Sequence, residues 1–278
     1  MVLRRFAQVG LAVALAVGLL GVGVAVHATD VTFTGSTTVL PIAQAVAEAL
    51  ADQYDIEVAG GGSSVGVASL IDGTTDIGDH SRAIKGSEYE EAVEKGVYPF
   101  TFQVANDAIA VIVNKANPIS DLTLEQLKEI YQGKYTNWSE LGWDGGGTIV
   151  IVGRDSSSGT FETWEGLVMQ KEEPASSVLA LASNADVASE IADNRNAIGY
   201  VGLAYYNEGL HSKLTVGGKE ATLATAVNFT YPIARPLFMS TNGFPSPGPV
   251  LDVILFILSD EGQRLVESVG YAPIRVLE

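Results

Sequence analysis

Beyond residue 28 the apolar positions follow two alternating periods. Short β-rich runs at residues 31–34 and 56–59 are separated by Ile42, Val46, Leu50 and Tyr54, whose spacing of four places them on one helix face. A second helical pattern covers residues 65–71. Further strands are predicted at residues 101–105, 108–114, 149–152 and 197–201. Helices are predicted at residues 122–131, where Thr123 and Gln126 form a capping box, and at residues 250–258 and 261–269. Such alternation predicts parallel α/β structure. Two extended apolar runs, residues 106–114 and 231–239, carry no helical pattern. They stand where a chain would cross between two lobes and return, but ordinary central strands of one sheet would read the same way.

The first 28 residues have another pattern: a basic pair at Arg4 and Arg5, an apolar stretch over residues 9–26, and the small residues Val26 and Ala28. This is the layout of a secretory signal peptide, cleaved near Thr29. Residues 6–26 carry no charge and are about long enough to span a bilayer, so a retained anchor is the other reading. The rest of the chain is expected to be soluble and extracytoplasmic.

With 278 residues, 47% of them hydrophobic, the chain can bury one large core or two smaller ones. It has no cysteine, which excludes disulfides, thiolate metal sites, thiol nucleophiles and a lipidated N-terminal cysteine. Net charge is −17; without the first 28 residues, 14 basic groups face 33 acidic ones, or −19. That surface repels nucleic acid and anionic lipid.

Three small-residue loops each follow a predicted strand and lead into a predicted helix. They are Gly35-Ser36-Thr37-Thr38, Gly60-Gly61-Gly62-Ser63-Ser64 and Arg154-Asp155-Ser156-Ser157-Ser158-Gly159-Thr160. A helix N-terminus offers unpaired N–H groups and partial positive charge, hydroxyls add donors, and glycine lets the backbone come close. Each loop alone is ordinary N-cap chemistry. Three together, one headed by an arginine, suit an oxyanion. Arg154 follows an apolar strand, at the strand end where α/β sheets bind ligands, although a surface arginine in a polar turn would look alike.

Gly62-Ser63-Ser64-Val65-Gly66 also matches the nucleophile elbow of hydrolases, with Ser64 as nucleophile. Its triad would need His80 or His211, both expected on the surface. Nothing here has metal-ligand spacing or a nucleotide-binding lysine loop, so no metal or cofactor is expected. The stretch from Trp138 to Gly147 reads as an ordinary loop.

These segments resemble the substrate-binding proteins of phosphate ABC transporters, in the family's shorter-loop branch. The resemblance runs over nearly the whole chain after residue 28. It is carried by Gly35-Ser36-Thr37-Thr38-Val39-Leu40-Pro41, Gly61-Gly62-Ser63-Ser64-Val65-Gly66, Asp76-Ile77-Gly78 with Ser81-Arg82, and Tyr131-Gln132-Gly133-Lys134 with Asn137-Trp138. The loop from Gly153 to Thr160 and Tyr231-Pro232-Ile233-Ala234-Arg235-Pro236-Leu237 complete it. The resemblance implies a two-lobed α/β binding protein, each lobe a mixed sheet flanked by helices. Lobe I would be residues 29–106 and 230–278, lobe II residues 107–229, joined by crossing strands. It implies a phosphate site built from Ser36, Thr37, Thr38 and Val39 (by its backbone), Ser63, Arg154, Ser158, Gly159 and Thr160. Ser81 stands where well-known members carry the aspartate that accepts the ligand's own proton, so Asp79 or Asp76 is a candidate substitute. The expected function is non-covalent capture of inorganic phosphate by a monomer, and its delivery to an ABC transporter permease, without catalysis. A receptor for sulfate or molybdate is the same-class alternative.

Overall fold

A computed structural model describes residues 29–277. The signal-peptide and anchor readings concern residues 1–28 and lie outside the described residues. Among the described residues no helix is long and apolar enough to cross a membrane.

The chain starts with β1 (Val31–Gly35), α1 (Leu40–Ala49), β2 (Ile56–Gly60), α2 (Ser63–Ile71), β3 (Ile77–His80), α3 (Gly86–Glu94) and β4 (Pro99–Ala108). It continues through β5 (Ala110–Asn114), β6 (Asp121–Leu122), α4 (Leu124–Tyr131), β7 (Val150–Arg154), α5 (Gly159–Leu167), β8 (Leu179–Leu181), α6 (Asn184–Asp193) and β9 (Ala197–Val201). Then come β10 (His211–Lys213), β11 (Thr215–Val216), α7 (Leu223–Val227), β12 (Ala234–Asn242), α8 (Pro249–Leu258) and α9 (Asp260–Ser268).

Two five-stranded sheets result, ordered β2-β1-β3-β12-β4 and β10-β5-β9-β7-β8, with β6 and β11 as a small third. In the first, β1 runs parallel to β2 and β3, while β12 is antiparallel to β3 and β4. In the second, β7 is parallel to β8 and β9, and β5 is antiparallel to β9. Each sheet has its own apolar core: Phe33, Ile42, Val46, Ile77, Val104 and Met239 in the first, Ile112, Leu127, Trp138, Ile151, Trp164 and Ile198 in the second. Mixed sheets flanked by helices in two lobes are the architecture the family resemblance implied, whereas the strand–helix alternation predicted parallel structure and each sheet also holds antiparallel pairs. The two extended apolar runs become β4–β5 and β12, and Ala234 to Pro236 pair with Asn106 to Ala108. Between Leu237 and Phe238 the register slips by one residue; the carbonyl of the extra residue, Val104, accepts from buried Gln263 Nε2 at 3.0 Å.

Local signals account for the elements read correctly. Thr123 caps α4 by accepting from Gln126 N, and Gln126 returns a bond to Thr123 N. Tyr54, counted with α1 by its spacing, lies beyond it: the helix stops at Ala49, and Tyr54 Oη donates to Asp252 on α8 at 2.6 Å. The Trp138–Gly147 stretch is not an ordinary loop, since Trp138 starts a 3₁₀ turn (Trp138–Leu141), is fully buried, and donates from Nε1 to Asn196 O at 2.7 Å.

Candidate functional site

β1, β2 and β7 each pass from their carboxyl end through a short turn into a helix. Gly62 N donates to Gly35 O at 2.9 Å, tying the first two turns together, and Ser64 N donates to Ser157 O at 3.0 Å between the two lobes. Ser157 Oγ adds a bond to Gly61 O at 3.2 Å. All three loops therefore meet. Two glycines allow it: a Cβ on Gly62 would fall 2.7 Å from Ser157 O, and one on Gly159 would fall 2.8 Å from Ser81 Oγ and closer still to Ser63 Oγ. Gly62 also has φ of 102°, a conformation that suits glycine alone.

The hydroxyls that these loops carry form one buried group. Thr38 Oγ1 and Thr160 Oγ1 are 2.8 Å apart across the cleft. Ser63 Oγ accepts from Ser81 N at 2.9 Å and lies 3.2 Å from Ser81 Oγ. Ser158 Oγ caps α5, accepting from Thr160 N and Phe161 N, so its own proton stays available. Ser36 Oγ accepts from Thr38 N at 3.2 Å and so shapes its own turn. Thr37 is held by the second lobe: its carbonyl accepts from Tyr205 Oη at 2.6 Å and its hydroxyl from Asn184 Nδ2 at 3.1 Å. The Val39 side chain belongs to the first core, leaving only its backbone at the loop.

Arg154 is 3% exposed, which removes the reading of a surface arginine in a turn. Nε and Nη2 donate to Leu181 O at 3.1 Å and Ala182 O at 2.7 Å, whereas Nη1 is buried with no acceptor among the described residues. Burial lowers the guanidinium's pKa, and a second positive charge nearby, Arg235, adds to that. Arg235 is the residue that sequence reasoning missed. It sits on β12 opposite Asp107 of β4, donates to Asp107 Oδ2 from Nε at 3.1 Å and from Nη2 at 2.9 Å, and reaches Ser81 O from Nη1 at 3.1 Å. Nη2 also meets Thr160 Oγ1 at 2.9 Å and Thr38 Oγ1 at 3.3 Å. Asp107 balances one of the two guanidinium charges; Arg154 brings the other with no carboxylate among the described residues in hydrogen-bond contact. A further tie between the lobes lies nearby, where Glu162 Oε1 is 2.9 Å from Arg82 Nε and 3.0 Å from Lys85 Nζ. The Arg82 contact is an ion pair without directed hydrogen-bond geometry.

Other sequence candidates are excluded by their surroundings. Asp76 is exposed at the far end of β3, where Oδ2 accepts from Thr32 N and Oγ1. Ser64 Oγ accepts from Arg82 Nη2 at 3.1 Å, a cation that cannot act as base. Both histidines expected on the surface are buried. His80 bridges Arg82 O at 2.6 Å and Ser240 Oγ at 2.7 Å, and burial lowers its pKa to about 4. His211 Nε2 lies 2.9 Å from Ala188 O in the second lobe.

Asp79 is fully enclosed, on the strand face it shares with Ile77 and the first core, and its Oδ1 has no hydrogen-bond partner among the described residues. Burial raises its pKa well above the ordinary carboxylate range, so the folded state holds a proton that the unfolded state has released. The stabilisation is therefore complete in acid and is lost as pH climbs from the ordinary carboxylate range toward the raised value, by up to about 1.4 kcal/mol per unit. Asp79→Asn should unfold at higher urea than the parent, with a gap that widens between about pH 5 and pH 8. A gap that stays constant over that range would show Asp79 to be ionised in the folded protein.

Comparison with known proteins adds to this geometry. The sequence profile of the PBP superfamily domain matches residues 23–261. Phosphate-binding protein PstS of Staphylococcus epidermidis strain RP62A is 33% identical over 255 residues, covering 85% of this chain and 76% of that protein. Its counterpart in Staphylococcus aureus strain USA300 is 32% identical with the same coverage. Among solved structures, a putative phosphate ABC transporter substrate-binding protein with bound phosphate from Clostridium perfringens superposes with a TM-score of 0.80 at 34% identity, covering 88% of this chain and 99% of that one. An ABC-type phosphate transport receptor from Vibrio cholerae gives 0.67 at 29% identity, covering 87% and 99%.

Proposed function

The chain belongs to the PBP superfamily, with the substrate-binding proteins of phosphate ABC transporters as its relatives, and from that membership we propose that it captures inorganic phosphate between its lobes and delivers it to an ABC transporter permease. One observation carries the reading for this chain: Arg154 Nη1, buried and without an acceptor among the described residues, at the end of the strand whose loop meets the two other hydroxyl-bearing loops. A buried charged donor left unpaired is costly, and a tetrahedral oxyanion relieves that cost.

In this reading Thr38, the Val39 backbone, Ser63, Ser81, Arg154, Ser158, Gly159 and Thr160 contact the anion. Ser36 and Thr37 shape the first turn. Lobe I is residues 29–106 with 230–278, lobe II residues 107–229, and β4 and β12 form the hinge. The protein works as an extracytoplasmic monomer without catalysis; its acidic surface does not suit nucleic acid. Calorimetric titration of the purified chain with phosphate, sulfate and molybdate tests the function. Phosphate is expected to bind most tightly; tighter binding of sulfate or molybdate would move the assignment to that anion, and binding of none would remove it.

A further inference from the structure

Where β3 ends, the chain turns through Ser81 and Arg82, and its backbone is held at three successive points. Ser81 N donates to Ser63 Oγ at 2.9 Å, Arg235 Nη1 donates to Ser81 O at 3.1 Å, and the next carbonyl, Arg82 O, lies 2.6 Å from His80 Nδ1. A carbonyl oxygen can only accept, so Nδ1 carries the imidazole proton. The ring is neutral, since burial lowers its pKa to about 4, and Nε2 is therefore an acceptor. Ser240 Oγ, 2.7 Å from Nε2, donates to it; with that proton spent, Ser240 Oγ accepts from Thr101 Oγ1, also at 2.7 Å. Each proton in this chain serves one acceptor, so every direction in it is fixed. The ring is fully buried and stacks on Phe238 with centroids 5.3 Å apart.

The turn that His80 holds is also where the lobes touch. A Cβ on Gly159, the first residue of α5, would fall 2.8 Å from Ser81 Oγ and 3.0 Å from Arg82 Cγ, and Glu162 of the same helix pairs with Arg82 Nε. Surfaces packed this closely leave the turn no room to shift while the lobes stay closed. We propose that His80 is a positioning residue: its Nδ1–H holds the Arg82 carbonyl and so keeps Ser81 and Arg82 where the second lobe can close on them over a tetrahedral oxyanion. Both ring nitrogens are committed within the first lobe, so His80 acts on the ligand only through the turn. The inference rests on the phosphate reading.

Phosphate titration of the parent, His80→Asn, His80→Gln and His80→Phe tests it. The asparagine Nδ2 stands where Nδ1 stands and can still donate to Arg82 O, whereas the glutamine amide lies at the Nε2 end and phenylalanine has no donor. His80→Gln and His80→Phe are expected to bind phosphate on the order of tenfold more weakly than the parent, the worth of one buried hydrogen bond, because the freed turn must be reordered each time the lobes close. His80→Asn should recover most of that loss although it leaves the larger void. Packing alone predicts the opposite order, since glutamine is nearer to histidine in size. Ser240→Ala removes the partner of Nε2 and leaves Nδ1–H in place, so it should lower the unfolding temperature while phosphate affinity stays near that of the parent. If His80→Phe does not fold, the asparagine and glutamine variants with Ser240→Ala decide. His80→Gln binding as tightly as His80→Asn, or a tenfold loss in Ser240→Ala, would reduce His80 to packing and overturn the inference. A parent that binds no phosphate would overturn the functional reading and this inference with it, whereas a parent that binds and His80 variants that match it would overturn the inference alone.

Discussion

Arg154→Met is expected to weaken phosphate binding by about 2–5 kcal/mol, the cost of leaving a buried anion without its cationic partner. The guanidinium is committed on two sides, with Nε and Nη2 on the carbonyls of Leu181 and Ala182 and Nη1 free for the ligand. Those two bonds aim the third nitrogen. Arg154→Lys should therefore recover only part of the loss, because an ammonium carries the charge but cannot hold two carbonyls and still present a fixed donor. The chain should remain folded, since the residue sits at the end of β7 with apolar strand packing behind it in Ile151 and Val152. Isothermal calorimetry on both variants provides the measurement, and a loss below tenfold for Arg154→Met would sink the assignment of the site.

Stability, rather than affinity alone, is what Arg235→Met should cost, by about 3–5 kcal/mol, because it leaves Asp107 charged and unpaired in the interior. The side chains are 4% and 0% exposed, and the pair joins β12 to β4 where both strands run beside the cleft. Asp107 Oδ1 meanwhile accepts from Leu203 N at 2.9 Å, so the carboxylate also anchors the second lobe. Removing both charges in Asp107→Leu with Arg235→Met should be less damaging than Arg235→Met alone, since no buried ion is then left without a partner. Thermal and urea unfolding read this directly. Were the double variant to lose the sum of the two single losses, the pair would not be a coupled unit.

The three loops were legible because each feature needed there is local. A strand end, a glycine that lets backbones approach and a hydroxyl before a helix lie within a few residues of one another, and capping chemistry acts over three or four positions. The same holds for α4, whose Thr123–Gln126 exchange is written in the chain itself. Tyr54 shows the limit of that method. Its spacing continued the face of α1, but a hydrogen bond to Asp252, 198 residues away, holds it beyond the helix end.

By itself, then, the sequence determined the α/β alternation, the three hydroxyl-bearing turns and the arginine at the end of β7, because hydrophobic period and cap chemistry are short-range. Only the tertiary structure decided which groups those turns would meet. Arg235 and Asp107 are 128 residues apart, and Asn184 lies 147 and 146 residues from Thr37 and Thr38. Asp107 and Asn184 stand in no motif, Arg235 lies in the Tyr231–Leu237 run without a local signal for a role at the site, and a lone asparagine or arginine reads as surface until a fold buries it. The same reasoning covers Asp79, His80 and His211, whose polarity suggested solvent or chemistry. Burial gave each its actual state, a carboxyl with its pKa raised and two imidazoles with theirs lowered, since the cost of charge in a low-dielectric interior depends on neighbours that the chain brings in from far away.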